Sequence, residues 1–401
     1  MIKKKGEAAA AAVFLLLIFA FAIAGAVLPD RAFSPRENRF LAQWPAAGLR
    51  DIRSAAYMKA VEEYTADQFP GRDRWVSYKA AFQKITGRQE NRGVFFAKDG
   101  YLIGRPQTPP AEIAGGNLAS VLALEAAGYD VALLVSPMAA EILRDKLPAL
   151  AYAPVQADLI GRLRRDAPGL FVDVGPGLAR AAAEGRQVFY RTDHHWTMQG
   201  AYQAYLAYMD WLGEAARPLD SYTEEIVSRD FYGSLWSKNS LPGLPPDEIR
   251  IFLPPDDKMN TMYEVEYFDG SNVWTLSSVY QEEYLGQKDQ YAYFLGQNRP
   301  LAVIRRLGEP ATAAPPRKLL IFKDSYAHSF APFLLPHFQE IHLADLRYWK
   351  QDPIEYMSER DIRQVLFLYD ADDFGGDRSI SLIGAWLEQK ANKDETIQFQ
   401  E

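Results

Sequence analysis

Arg191-Thr192-Asp193-His194-His195-Trp196 sets a carboxylate and an imidazole in an Asp-x-His spacing, and only five histidines occur in the chain. On an extended loop that spacing lets both side chains point to one side, so Asp193 can bond one ring nitrogen of His195 while the other faces a reactant. A hydroxyl nucleophile needs a base within hydrogen-bond reach and a third group to hold the base. Ser325, in Lys323-Asp324-Ser325-Tyr326, supplies that hydroxyl. It follows the apolar run Lys318 to Phe322 and precedes a helical pattern from Ala327 to Leu335. A serine at a strand-to-helix turn lies beside free N–H groups that can stabilise an oxyanion.

Each residue also has a plainer reading. Asp193 and Ser325 are acceptable helix caps, and His195 could be a buried structural histidine. Their joint occurrence at strand ends favours catalysis, with Ser325 as nucleophile, His195 as base and Asp193 as its orienter. His194 is an alternative base, and His328, three residues after Ser325, a rival partner more consistent with a helix surface or core. Asp324 suits backbone capping, and Trp196 suits packing that fixes the loop. Adjacent histidines on an extended chain point apart, so a two-histidine metal site is awkward; no metal and no cofactor is expected.

The elements that must position these groups follow from hydropathy. Val188-Phe189-Tyr190 predicts a short strand entering the histidine loop, and Thr197 to Leu212 a helix leaving it. Tyr129 to Val135, Lys318 to Phe322, Glu340 to Leu343 and Val365 to Leu368 read as buried strands. Helical patterns lie at 111–127, 139–146, 155–165, 177–184 and 379–388. This alternation predicts an α/β parallel sheet flanked by helices. Gly93 to Ile103 reads as a hairpin around Lys98-Asp99-Gly100. Between about 218 and 313 the chain turns β-rich, with strands expected near Glu224 to Val227, Glu248 to Leu253, Tyr263 to Phe268 and Tyr291 to Leu295. Its aromatics, among them Tyr232, Trp236, Tyr267, Trp274, Tyr280 and Tyr284, suggest an insertion lining a cleft, although strands are commonly aromatic.

Lys3, Lys4 and Lys5 precede an uncharged apolar run from Ala8 to Leu28. At ~1.5 Å per residue the run can cross ~30 Å of hydrocarbon. The lysines would hold the tail in the cytoplasm and leave the rest outside. A cleavable signal peptide ending near Ala22-Ile23-Ala24 is the competing reading. The expected organisation is a tail and transmembrane signal anchor at 1–29, a linker and helical lead-in at 30–90 containing helices over 52–69 and 75–85, and a catalytic domain at 91–401. Net charge is −8 with no basic stripe beyond the first residues, which argues against nucleic acid. The absence of cysteine excludes disulfides, thiolate ligands and a cysteine nucleophile.

Thr192-Asp193-His194-His195-Trp196-Thr197 with Lys323-Asp324-Ser325-Tyr326 downstream resembles the DHHW family, relatives of the periplasmic alginate O-acetyltransferases with a permuted SGNH-hydrolase-like domain. Shorter pieces agree: Ser34 with Glu37-Asn38-Arg39, Asp67-Gln68-Phe69-Pro70 with Arg72, Val94 with Asp99-Gly100-Tyr101-Leu102, and Gly233-Ser234-Leu235 with Ser237-Lys238. The resemblance implies Ser325, His195 and Asp193 as the catalytic residues. It also implies acetyl transfer through the serine to a polysaccharide hydroxyl, with acetyl groups supplied by a multipass membrane acyltransferase. Gly296-Gln297-Asn298 resembles the Gly-x-Asn element of SGNH enzymes, making Asn298 a candidate oxyanion donor; Tyr326 and His194 are further oxyanion or substrate candidates. Ser136-Pro137 is followed by Met138-Ala139, where the alginate enzymes are expected to carry a lysine. The expectation is a membrane-anchored external O-acetyltransferase or acetylesterase acting on a cell-surface or secreted polysaccharide. The alternative is a noncatalytic carbohydrate-binding or envelope-assembly protein of the same fold.

Overall fold

The structure is a computed structural model that describes residues 2–46, 54–149, 151, 156–254, 262–307 and 317–398. Residues 52, 53, 155, 315 and 316, which the sequence reading assigned to helices or to the lead into a strand, lie outside that set. The chain divides into two compact units, residues 1–92 with 236–244, and residues 93–235 with 245–401.

In the first unit, helix α1 (Ile2–Val27) contains the apolar stretch Ala9–Val27, none of it buried. Helices α2 (Ala55–Asp67) and α3 (Arg72–Ile85) follow. Ser54 caps α2 by accepting the Tyr57 N–H, as a serine at that position should. Gly71, with φ of +69°, makes the turn between the helices. The polar residues of the Ser34-to-Arg39 and Asp67-to-Arg72 pieces meet here. Arg39 grips Asp67 through both terminal nitrogens at 2.8 and 2.5 Å, while Arg72 reaches Glu37 at 2.9 Å and Asp67 at 3.3 Å. Buried charges are tolerated only when paired, which accounts for this exchange.

The second unit is organised on a seven-stranded mixed sheet. In chain order its strands here are β1 (Val94–Phe96) and β2 (Leu102–Gly104), which form the predicted hairpin, then β3 (Asp130–Ser136). Next come β4 (Thr223–Phe231), β5 (Asp247–Leu253), β6 (Tyr263–Asp269), β7 (Asn272–Leu276) and β8 (Leu301–Arg306). The last are β9 (Lys318–Lys323), β10 (Glu340–Ala344) and β11 (Gln364–Asp370). The sheet runs β7-β6-β8-β10-β9-β11-β3, and β10, β9, β11 and β3 are mutually parallel. These four are the strands predicted from continuous apolar runs, and both of their faces are covered. Strands β6, β7 and β8 extend the sheet antiparallel, so part of the β-rich stretch belongs to the sheet, while β4 and β5 pair as a separate ribbon.

Side chains alternate between the faces because the strand period is two. Ala132, Leu134, Leu319, Ile321, Leu366 and Leu368 enter one core, together with helices α6 (Gly175–Ala183), α7 (Met198–Trp211) and α8 (Ala327–Leu334). Val131, Leu133, Leu320, Phe322, Val365 and Phe367 enter the other, with α4 (Ala111–Ala126), α5 (Ala157–Asp166), α9 (Pro353–Glu359) and α10 (Leu382–Gln398). Each fully buried Leu, Ile or Phe contributes about 1.5–3 kcal/mol, so this double core fixes the strand ends firmly.

Three expectations are corrected. Gln290–Tyr293 is a 3₁₀ turn where Tyr291 to Leu295 suggested a strand. The expected aromatic wall is largely core: Tyr267, Tyr280 and Tyr284 are buried, Tyr267 stacked on Trp274 and Tyr280 on Tyr293. The closing helix α10 continues to Gln398, ten residues beyond the pattern expected to end at 388.

Candidate active site

The histidine loop is a tight reversal. Tyr190 N–H donates to His195 O, and Thr197 N–H to Val188 O, closing the segment between them. Thr197 then caps α7 by accepting the Gly200 N–H. Gly200 is required by space, since a Cβ there would lie 2.3 Å from Val188 O. Asp247 at the start of β5 pins the loop from outside. Its Oδ2 accepts the Thr192 N–H at 2.8 Å and hydroxyl at 2.7 Å, and its Oδ1 accepts the Arg191 N–H at 3.0 Å.

Within this frame Asp193, His195 and Ser325 form one hydrogen-bonded line. Asp193 Oδ1 lies 2.5 Å from His195 Nδ1, and His195 Nε2 lies 2.7 Å from Ser325 Oγ. Asp193 Oδ1 also accepts the His195 backbone N–H, and Oδ2 accepts the Ser234 N–H at 2.7 Å. Burial alone would raise the Asp193 carboxyl; the neighbouring His195 and His194 and these donors more than offset it and hold it well below the usual carboxylate range. Gly233 packs against the carboxylate so closely that a Cβ would fall 2.3 Å from Oδ2.

Ser325 stands between β9 and α8 and is partly exposed. Among the described residues its own N–H has no acceptor. Asp324 is occupied with backbone: Oδ1 accepts the Tyr326 N–H and Oδ2 the Asp370 N–H, tying the ends of β9 and β11 together. Burial, reinforced by Asp373, pushes its carboxyl up to about 7.

The other expected residues are distributed as follows. His194 is part-exposed beside His195, with ring centroids 3.8 Å apart and Nδ1 2.6 Å from Ser234 Oγ. Tyr326 is corrected from a substrate-facing or oxyanion candidate: it is fully buried, and its hydroxyl donates to His194 O at 2.6 Å, tying the serine loop to the histidine loop. Trp196 serves the same junction by donating to Tyr326 O and Ser329 Oγ. His328 turns away from Ser325, its Nε2 2.7 Å from Lys323 Nζ. Asn298 is half-buried, and its Oδ1 accepts from Lys323 Nζ at 2.9 Å, leaving its NH2 as the group that can donate elsewhere. The ligand atoms of Asp193, His194 and His195 lie within 4.8 Å of one another. His195 Nδ1 and Asp193 Oδ1 are already joined, so a cation shared there would have to break that bond.

Three supporting residues escaped the sequence reading. Tyr291 lies flat on the His195 ring, centroids 3.7 Å apart and planes 6° apart, while its hydroxyl is 3.2 Å from Ser325 O and 3.0 Å from Ser329 Oγ. Lys323 is 2% exposed; burial lowers its ammonium to about 8, partly opposed by Asp345. A lysine ending an apolar strand run was the available signal for it. Asp247, 54 residues beyond Asp193, left none.

Residues 177–344 match the family described as DHHW protein, and residues 105–241 match the SGNH hydrolase-like domain of acetyltransferase AlgX. A probable alginate O-acetylase AlgJ of Pseudomonas fluorescens is 28% identical over 165 residues, which are 37% of this chain and 41% of that protein. This chain therefore spans less than half the length of that relative. Among solved structures, a DHHW family protein from Eubacterium siraeum has a TM-score of 0.59 at 22% identity, covering 73% of this chain and 95% of its own. Bacillus cereus PatB1 has a TM-score of 0.59 at 20% identity, covering 70% and 97%; a structure of it with a sulfonyl adduct has 0.58 at 19%, covering 71% and 98%. These likenesses show a shared fold, and the expected resemblance to the DHHW family and to alginate O-acetylases holds.

Proposed function

We propose that this chain, whose residues 177–344 match the DHHW family and which is similar to an alginate O-acetylase, is an external O-acetyltransferase or acetylesterase that modifies a polysaccharide through an acetyl-Ser325 intermediate. The observation that carries the reading is the continuous line from Asp193 through His195 to the partly exposed Ser325. The sheet is read as an SGNH-hydrolase-like domain in permuted order, since the acid and base at 193–195 precede the serine in the chain. The apolar stretch Ala9–Val27 is read as a single-pass anchor with the tail in the cytoplasm.

In the first half-reaction Ser325 Oγ attacks the acetyl carbonyl of the donor as its proton passes to His195 Nε2. The oxyanion is read as held by the Ser325 N–H and the Asn298 NH2, neither of which has a hydrogen-bond acceptor among the described residues. Collapse breaks the bond to the leaving group, which takes the proton from His195. In the second half a sugar hydroxyl, or water in the esterase case, attacks the acetyl-serine; its proton goes to His195 and on to Ser325 Oγ as the ester is released. Asp193 stays ionised and stabilises the imidazolium in both halves. His194, part-exposed beside the base, is read as a side chain that contacts the acceptor. A multipass acyltransferase is the proposed acetyl source.

The test is turnover of p-nitrophenyl acetate by the full chain and by Ser325→Ala, with and without oligosaccharide acceptors. Loss of turnover with the serine supports an acyl-serine enzyme, and acetylated oligosaccharide separates transfer from hydrolysis. Equal turnover in both proteins rejects the assignment.

A further inference from the structure

Helix α3 is built with its amphipathicity inverted. Its inner face buries Arg72, Ser77 and Ala80, while its outer face carries Trp75, Tyr78, Phe82 and Ile85, exposed by 49, 62, 67 and 83%. At ~100° per residue these four fall within one stripe about 80° wide, opposite the buried side. Exposed Arg74 and Lys79 border the stripe on either edge. A contiguous apolar face rimmed by cations marks an interaction surface.

Its occupant follows from what α3 packs against in the same unit. Phe21 stacks on Phe69 at 5.1 Å and meets the edge of Trp75 at 6.0 Å, and Gly25 lies against Pro70. Phe21 is six residues before the end of the apolar stretch Ala9–Val27, or ~9 Å along the axis at ~1.5 Å per residue. Half of a bilayer's hydrocarbon is ~15 Å. If α1 crosses the membrane, the Trp75 ring reaches ~9 Å inside the edge of the hydrocarbon, within the ~5–10 Å that the apolar face of a helix lying at the boundary between acyl chains and headgroups penetrates. Trp and Tyr concentrate at that depth, and a helix with one aromatic face and basic edges lies in its plane.

We propose that the Trp75, Tyr78, Phe82 and Ile85 face of α3 is a second membrane contact, resting in the interfacial layer of the bilayer that α1 spans, with Arg74 and Lys79 meeting lipid phosphates. This rests on reading α1 as a membrane span. The anchor is then a helix plus a lipid-bound platform, which restricts rotation of the first unit about α1.

The chain has no cysteine, so single-cysteine variants of the full protein take a nitroxide label at one site. Tyr78→Cys, Phe82→Cys and Ile85→Cys are reconstituted in phosphatidylcholine–phosphatidylglycerol vesicles, with Leu16→Cys reporting the span and Glu112→Cys reporting water. Power saturation with oxygen and with a nickel chelate reads the environment. The expected ratio of oxygen to nickel accessibility at 78, 82 and 85 is several-fold above that at 112 and approaches that at 16. Values equal to position 112, with position 16 in lipid, overturn the second contact and leave the span standing. Position 16 in water overturns the span and this inference with it. Low accessibility to both reagents at 82 signals burial in protein, as in a second copy, and also overturns the lipid assignment.

Discussion

Replacing Asp193 by asparagine removes one charge and one acceptor from the site at almost constant shape, so its cost can be worked from the geometry. The carboxylate accepts three N–H groups, two from His195 and one from Ser234. Asparagine offers one oxygen. If that oxygen keeps the His195 pair, the NH2 faces the Ser234 N–H; if it flips, the NH2 faces Nδ1 and favours the tautomer with Nε2 protonated, which cannot take the serine proton. The charge term adds to this. With imidazolium charge about 4 Å from the carboxylate and an effective dielectric constant of about 20, the lost attraction is about 4 kcal/mol. At about 1.4 kcal/mol per decade that is roughly a thousandfold in rate. Because Asp193 is held well below the usual carboxylate range, it stays ionised at every pH where the enzyme would be assayed. The loss should therefore persist across the pH profile. The assay is acetyl-ester turnover by wild type and Asp193→Asn, with circular dichroism confirming the fold. A loss smaller than about tenfold in a folded variant would refute the role given to the carboxylate.

Gly233→Ala should destabilise the protein by about 1–3 kcal/mol and depress turnover, because the added Cβ falls 2.2 Å from Asp193 Cβ; urea unfolding alongside turnover checks both effects. Tyr291→Phe keeps the ring on His195 and should retain turnover within about threefold, while Tyr291→Leu should lose roughly thirtyfold, the ~2 kcal/mol worth of a desolvated aromatic face under a cation. Burial raises the neighbouring carboxyls of Asp324 and Asp370, so the folded chain holds a proton there that the unfolded chain releases near the ordinary aspartate pKa. That proton's contribution to stability is fully present below the unfolded value and is lost as pH rises through about 7. Unfolding free energy measured from pH 3 to 8 should show that fall, and Asp324→Ala should lessen it without abolishing it, because burial raises the neighbouring carboxyls of Asp370 and Asp373 in the same direction.

The parts of the site that the sequence made legible are those with local signals. Asp193 and His195 stand two residues apart between an apolar run and a helical pattern, and Ser325 follows an apolar run, so each could be placed without knowing the rest of the chain. Strands β3, β9, β10 and β11 were legible for the same reason, being buried on both faces. Strand β8 was missed although Leu301-Ala302-Val303-Ile304 has that character, because the surrounding stretch was read as insertion. Tyr291 was assigned to a strand, and its real task, lying on an imidazole 96 residues earlier in the chain, depends on the fold closing around it. Asp247 and Lys323 are charged residues satisfied by distant partners, and burial of that kind leaves no periodicity. Tyr326 shows the opposite error: beside the serine in sequence it looked like substrate machinery, but its hydroxyl is committed to His194 O.

The most direct test of the central claim is mass spectrometry of the Ser325 peptide after the full-length protein is mixed with an acetyl donor and quenched within one turnover. The expected result is a gain of one acetyl group on Ser325, abolished in Ser325→Ala and left without formation in His195→Ala. A productive enzyme with Ser325 unmodified, or one that turns over without that serine, would contradict the acetyl-serine mechanism.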